Sequence, residues 1–524
     1  MRKQKKINIT AWGFIMSVLG AAVGLGGIWG FPTQINKHGG MFLIPFLIAL
    51  IVCALPILLI EINLGNKYRK NHVDIFTDLA KVPGTFFGFL QTAVVWLMSV
   101  FYSVLVAWSL LALVMAFLPG LNQNGFFLDK LIEQTNSNPQ NFSQLGNISP
   151  WVLISLIVVW ILTGIILLGG VAKGIDLANK IFIPGLFVMI VLMMIYVLTL
   201  PGATNGLQTM FAFHGKSLLT SSIWTDAFGQ AFFMLSTCTG AIIIFSSCAT
   251  VGKSNTNKGL IIMFGTIVVA LLTACTVFGA LGVIAHQSGK PIDEVFVPGP
   301  TLIFQVFPQI FAIITQQTGL SFLSHMLAVF FFLSVFFAGI SSLITMAEAV
   351  VNPLISRYQI KRYQALLLTI ISGFAMGIIF CFNNSGSLID GLATWVAGIW
   401  QMIIGIFELI GTILIWKCYD DLAEFNNKYS AIKWYKWFKY LCLIVIPLII
   451  LINLIFAFYK LFNDISTNPF VFLTIGVTMG AVSVLLFTFI FTYYNNIKKN
   501  IVKLNNKILK GKDNLENSNL IENN

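Results

Sequence analysis

Apolar positions along this chain run in long unbroken stretches, near 12–35, 41–65, 87–118, 151–170, 176–199, 224–249, 259–286, 321–353, 364–382, 388–417, 438–460 and 469–494. A hydrocarbon core of about 30 Å takes roughly 20 helical residues per crossing. Each stretch therefore predicts one membrane span, twelve in all. An open sheet edge cannot be satisfied in lipid, so the spans are expected to be helices. The first stretch starts too far from the N-terminus, and is too long, for a cleaved signal peptide.

Composition agrees with this pattern. Of 524 residues, 57% are hydrophobic and 10% charged, against roughly 25% charged in soluble domains, and mean hydropathy is +0.88. The net charge of +12 does not make a nucleic-acid partner, because the basic residues are scattered between apolar runs and form no stripe. Seven cysteines (Cys53, Cys238, Cys248, Cys275, Cys381, Cys418 and Cys442) form no CxxC pair and read as small core side chains. Placing both termini in the cytoplasm leaves only Lys37, Lys130, Lys216, Lys290 and Lys460 outside, of 31 lysines and arginines. That asymmetry predicts the orientation in a cell membrane. Residues 1–8 and 495–524 are expected to be solvated cytoplasmic tails, and the glycosylation-like triplets at Asn141 and Asn147 carry little weight.

Two spans hold material that resists a continuous helix. Span 1 reads Gly20-Ala21-Ala22-Val23-Gly24-Leu25-Gly26-Gly27, and glycine costs roughly 1 kcal/mol in a helix interior. Span 6 carries Leu235-Ser236-Thr237-Cys238-Thr239-Gly240 in the middle of an apolar run. These spans open two five-helix halves, 9–200 and 201–417, with two further helices over 418–494. Interrupted helices at corresponding positions of two halves point to a transporter with inverted repeats. An odd number of spans per half turns the second half upside down. Free N–H groups at a half-helix start attract a carboxylate, and free carbonyls at a half-helix end coordinate a cation.

Several motifs in order resemble the neurotransmitter:sodium symporter family, whose structural prototype is the bacterial leucine transporter. They are Gly20 to Pro32 (GAAVGLGGIWGFP), His38 to Pro45, Glu61, Phe101-Tyr102 with Trp108, Lys173 to Asp176, Leu198 to Ala203, Gly229 to Phe233, and Ala338 to Ser342 followed by Glu348. The resemblance covers about residues 9–490. It implies a twelve-helix transporter with 5+5 inverted repeats, broken helices 1 and 6, and alternating access to a central site for an amino acid or related zwitterion. It also implies one Na⁺ at the family's second sodium site, on the carbonyls of Gly20, Val23 and Ala338 and the hydroxyls of Ser341 and Ser342. The substrate pocket carries over to Ala22, Leu25, Gly26, Tyr102, Phe233, Ser236, Thr239, Leu343 and Met346. Leu25 and Gly26 would offer N–H groups, Tyr102 a hydroxyl, and Phe233 an aromatic lid. Thr239 stands where relatives often have an aromatic, which implies a wider pocket.

Other family positions have changed. First-site ligands are replaced by Gly27 and Met234, with Thr266 aligning at a third; a thioether is a poor ligand for Na⁺. The outer-gate arginine and aspartate are Gly30 and Ala393, in a register marked by Asp390 and Glu408. Losing both gate charges leaves no unpaired buried ion, and closure is expected through Trp29, Tyr102 and Phe233. Glu61 is expected to hydrogen-bond the unwound backbone, and Glu408 to do so or to move a proton. Lys37 and His38 read as solvated residues of the outer mouth.

The expectation is therefore a bacterial plasma-membrane symporter, monomer or homodimer in lipid, driven by one Na⁺. The alternatives are a proton-coupled or ion-independent amino-acid exchanger, and a non-transporting receptor on the same scaffold. An enzyme is not expected, since no metal cluster, nucleophile–base pairing or phosphate loop is legible; Gly24-Leu25-Gly26 follows no strand.

Overall fold

The computed structural model describes residues 9–118, 147–213, 215–296, 299, 301–383, 385–467 and 480. The tails, the triplet at Asn141 and the twelfth apolar stretch lie outside these, apart from Gly480. The helices are α1 Ala11–Ala22, α2 Phe31–His38, α3 Leu43–Ala49, α4 Leu55–Tyr68, α5 His72–Met115, α6 Pro150–Leu168, α7 Asp176–Leu198, α8 Ala203–Met210, α9 Ser221–Leu235 and α10 Ala241–Cys248. They continue as α11 Asn255–Ser288, α12 Ile292–Val295, α13 Leu302–Thr318, α14 Ser321–Tyr358, α15 Arg362–Gly377, α16 Ser385–Ala393, α17 Gln401–Ile410, α18 Tyr419–Tyr429, α19 Lys436–Tyr440 and α20 Ile446–Thr467. Short π-helical turns join several of them, including Gly26–Gly30 ahead of α2 and Thr394–Trp400 ahead of α17. Among the described residues there is no strand, only isolated bridges between Ile9 and Ala249 and between Ile148 and Phe382.

Nine of these helical stretches are long and apolar enough to cross a membrane, and a tenth arises when α1 and the helix over Gly26–His38, bent by 52°, count as one span. The bend falls where the glycines are. Val23 leaves the helical region (φ −86°, ψ 64°) while its N–H still reaches Leu19 O. The second interruption separates α9 from α10. Ser236 (φ 50°), Cys238 (φ 65°) and Gly240 (φ 75°) are all left-handed there, a conformation that favours glycine.

The long helix α14 forms the centre, packed on α5, α7, α13, α1 and α15. Helix α4 supports α10, while α1 lies along both α7 and α14. The face of α6 turned away from the bundle exposes Ile154, Ile161 and Ile165, suited to lipid contact. Two differences from the sequence reading are structural. Residues 72–79 form a helical arm that kinks at Ala80 and Lys81 into the apolar part of α5; the arm's mixed polarity hides it from a hydropathy window. The 287–320 segment, read as an outer loop, contains α13, whose Phe304, Phe307 and Phe311 pack on Phe331 and Phe332 of α14.

Candidate functional site

The two interruptions face each other beneath α14 and α5. On the α1 side, the hydroxyl of Ser342 donates to Gly20 O at 3.0 Å and to Ala21 O at 3.2 Å, across 322 residues of sequence in the first case. Ser341 donates to Ala338 O within its own helix at 3.0 Å. Gly20, Val23, Ala338, Ser341 and Ser342 are all buried. The spacing suits a small hard cation. Two oxygens each about 2.4 Å from one ion and about 80° apart stand about 3.1 Å from each other. The donor set is hydroxyl and carbonyl oxygen only, which favours a group I or II ion over a transition metal.

Beyond that set, the backbone N–H of Leu25 donates to the Tyr102 hydroxyl at 2.7 Å. Gly24 lies between the two groups. A Cβ on Gly24 would stand 2.5 Å from both Ser342 Oγ and Tyr102 Oη, so only glycine lets the main chain pass. Gly26 is just as tightly approached: a Cβ there would sit 2.0 Å from Phe233 Cε1. Ser236 donates to Ala21 O at 2.7 Å, tying the α9 break to the α1 break. Thr239 turns inward on its own segment, donating to Ser236 O at 2.8 Å. Ala22 is buried at the end of α1, and Leu343 and Met346 are buried on α14 just past Ser342. Hydrogen bonds or close approaches thus join Gly20, Leu25, Gly26, Tyr102, Phe233, Ser236 and Ser342. Ala22, Leu343 and Met346 contribute apolar surface, and Thr239 and Ser341 bond within their own segments.

Comparison with known proteins decides the family. The model of the sodium:neurotransmitter symporter family matches residues 8–125 and 122–499. The chain belongs to this family. An uncharacterised sodium-dependent transporter of Methanocaldococcus jannaschii is 30% identical over 431 residues, 81% of this chain and 85% of that one. The sodium-dependent dopamine transporter of Bos taurus is 26% identical over 467 residues, 80% of this chain and 65% of the bovine protein. The crystal structure of MhsT in complex with L-phenylalanine superposes with a TM-score of 0.74 at 25% identity, covering 87% of this chain and all of MhsT.

Two side-chain amides around the two breaks escaped the sequence reading. Gln230 of α9 donates to Gly26 O at 3.0 Å, and its Oε1 would stand 3.1 Å from a Cβ on Gly30. An amide therefore fills the space beside Gly30. Gln401 donates to Thr237 O at 2.7 Å, bracing the α9–α10 break from α17. Glu61 accepts from Cys238 N at 3.2 Å, the contact to unwound backbone expected of it. Beside the altered first-site position, Met234 Cε lies 3.8 Å from where a Gly27 Cβ would stand, and Thr266 donates to its own helix at Ile262 O. His38 needs a correction: it is buried and meets Asp226 Oδ2 of α9 at 2.8 Å, whereas Lys37 is exposed as expected and reaches the same oxygen at 2.5 Å. Asp226 was missed because nothing local couples it to a residue 188 positions earlier.

Proposed function

We propose that the protein is a sodium-coupled secondary active transporter moving amino acids or related small zwitterions into the cell, with one Na⁺ at the second sodium site. In this reading it has twelve helices in two inverted repeats, 9–200 and 201–417, followed by 418–494, with tails 1–8 and 495–524 in the cytoplasm. Helices 1 and 6 are its discontinuous spans. Na⁺ sits on the carbonyls of Gly20, Val23 and Ala338 and the hydroxyls of Ser341 and Ser342. The substrate carboxylate takes the N–H groups of Leu25 and Gly26 and the Tyr102 hydroxyl. Phe233 closes over it, while Ala22, Ser236, Thr239, Leu343 and Met346 line the remainder.

The observation that carries the reading is the reach of Ser342 from α14 onto the Gly20 and Ala21 carbonyls at the end of α1. It brings hydroxyl and carbonyl oxygens from two separate helices to one point, and binding there fastens one helix to the other. The relatives' sodium-dependent transport and the phenylalanine bound to MhsT support the ion and substrate classes. Uptake of labelled amino acids into proteoliposomes tests it. Uptake should rise with external Na⁺ with a Hill slope of about one and lose its Na⁺ dependence in Ser342→Ala. A slope of about two, or full Na⁺ dependence in the variant, refutes the single-site reading.

A further inference from the structure

Helix α7 lies along α1, and the seam between them contains polar groups that no described residue satisfies. Asn179 of α7 is fully buried, and neither its Oδ1 nor its Nδ2 has a hydrogen-bond partner among the described residues. It lies flat against Gly20: a Cβ on that glycine would stand 2.6 Å from Nδ2, 2.7 Å from Cγ and 2.8 Å from Oδ1. Ser17, one turn earlier on the same face of α1, is also fully buried with its hydroxyl unpartnered among the described residues. Other buried serines, Ser99, Ser103, Ser109 and Ser334, donate back to their own helices, the usual outlet for a helical hydroxyl. Asp176, one turn before Asn179, accepts from Lys180 on Oδ2 at 2.6 Å, while Oδ1 faces Gly13 with no partner among the described residues.

Buried polar side chains are nearly always paired, and an aliphatic residue at 179 would carry no such penalty. The upper end of this seam is Gly20, whose carbonyl accepts from Ser342. An amide oxygen is also the right chemistry for a hard monovalent cation. We infer that the carboxamide of Asn179 is a further oxygen donor at the second cation site, reaching Gly20 from α7. The inference rests on the reading of that site given under the proposed function. It adds a third helix to the coordination shell and brings five donors to about six, the lower end of the range for hard cations of this size. Ion binding then fastens α1 to both α14 and α7, and ion release frees the cytoplasmic half of α1 from both.

The test is Na⁺-dependent thermal stabilisation of the purified full-length protein, with choline as the replacement cation, in wild type, Asn179→Ala, Asn179→Asp and Ser342→Ala. Asn179→Ala should raise the half-saturating Na⁺ concentration by about fivefold or more, the size of one lost oxygen contact, with amino-acid affinity unchanged at saturating Na⁺. Asn179→Asp keeps the shape and offers a charged oxygen, so it should half-saturate at or below the wild-type concentration. A half-saturation within about twofold of wild type in Asn179→Ala, with Ser342→Ala strongly shifted, overturns the inference and leaves the cation site standing. Unshifted values in both variants overturn the site and the inference together. If Asn179→Ala does not fold, Asn179→Asp decides alone, a rise of more than about fivefold overturning the inference.

Discussion

At the scale of single residues, the site is built from close approaches that leave no room for a methyl group. Gly24 is pinned between the Ser342 and Tyr102 hydroxyls. Gly24→Ala is therefore expected to weaken Na⁺ and substrate stabilisation together, since a Cβ displaces one group from each proposed site. Parallel titrations of Na⁺ and amino acid on the purified variant check this, and loss of only one counts against it. Tyr102→Phe removes the acceptor of the Leu25 N–H. In the proposed pocket it also removes the hydroxyl offered to the substrate carboxylate, and a hydrogen bond to a charged group is worth about 1.5–3 kcal/mol, which corresponds to roughly 10- to 150-fold in substrate affinity. Isothermal titration at saturating Na⁺ measures that loss, and an unchanged affinity removes Tyr102 from the pocket. The Glu348–Arg362 ion pair at 2.5 Å, with Glu348 almost fully buried, joins α14 to α15 by side chains alone. Breaking a buried pair by removing one partner costs about 3–5 kcal/mol. Arg362→Ala should lower the melting temperature by several degrees and Arg362→Lys by less, as thermal unfolding in detergent can show.

At the scale of elements, the α9–α10 interruption is held open by groups from other helices. Glu61 from α4 takes the Cys238 N–H, and Gln401 from α17 gives a hydrogen bond to Thr237 O. Gly240 combines φ 75° with the His72 ring, where a Cβ would come within 2.5 Å of Nδ1. Gly240→Ala should destabilise the protein, by about 1–2 kcal/mol for the left-handed backbone alone and more for the contact. A melting temperature equal to wild type would show that the break relaxes freely. The interruption was legible in the sequence as a Ser-Thr-Cys-Thr-Gly cluster inside an apolar run, because lipid tolerates such a cluster only where backbone lines a cavity. Of the braces, Glu61 was legible as an intramembrane carboxylate and Gln401 was not. Gln401 lies 164 residues from Thr237, and no local pattern marks which buried amide meets which carbonyl. Helix α13 escaped for a related reason: at 17 residues it falls short of a span, and what identifies it is its packing on α14.

At the scale of the whole molecule, the periodicity of apolar runs carries most of the helical architecture of the described residues, and the clustering of basic residues sets an expected orientation. Both termini are expected in the cytoplasm, so a reporter fused after Asn524 should be shielded in intact cells and accessible in inverted vesicles. The reverse result would overturn the orientation read from the lysines and arginines. The outer mouth shows what such a reading leaves out. There Lys37 and His38 meet Asp226, while Gln230 occupies the space beside Gly30.

What the chain's sequence determined by itself was the length and placement of the apolar spans among the described residues, the two weak points near residues 20–27 and 236–240, and a set of motifs that resemble one transporter family. All of these are local, set by how many consecutive apolar residues lipid requires and by which residues a helix refuses. The family resemblance brings Gly20 and Ser342 to one site, and only the tertiary structure decided the hydrogen bond between them, that Asn179 lies against the same glycine with no partner among the described residues, and that Asp226 receives Lys37 and His38. Such pairings join positions up to 322 residues apart. They depend on the angle and register at which helices pack, and hydropathy does not encode either.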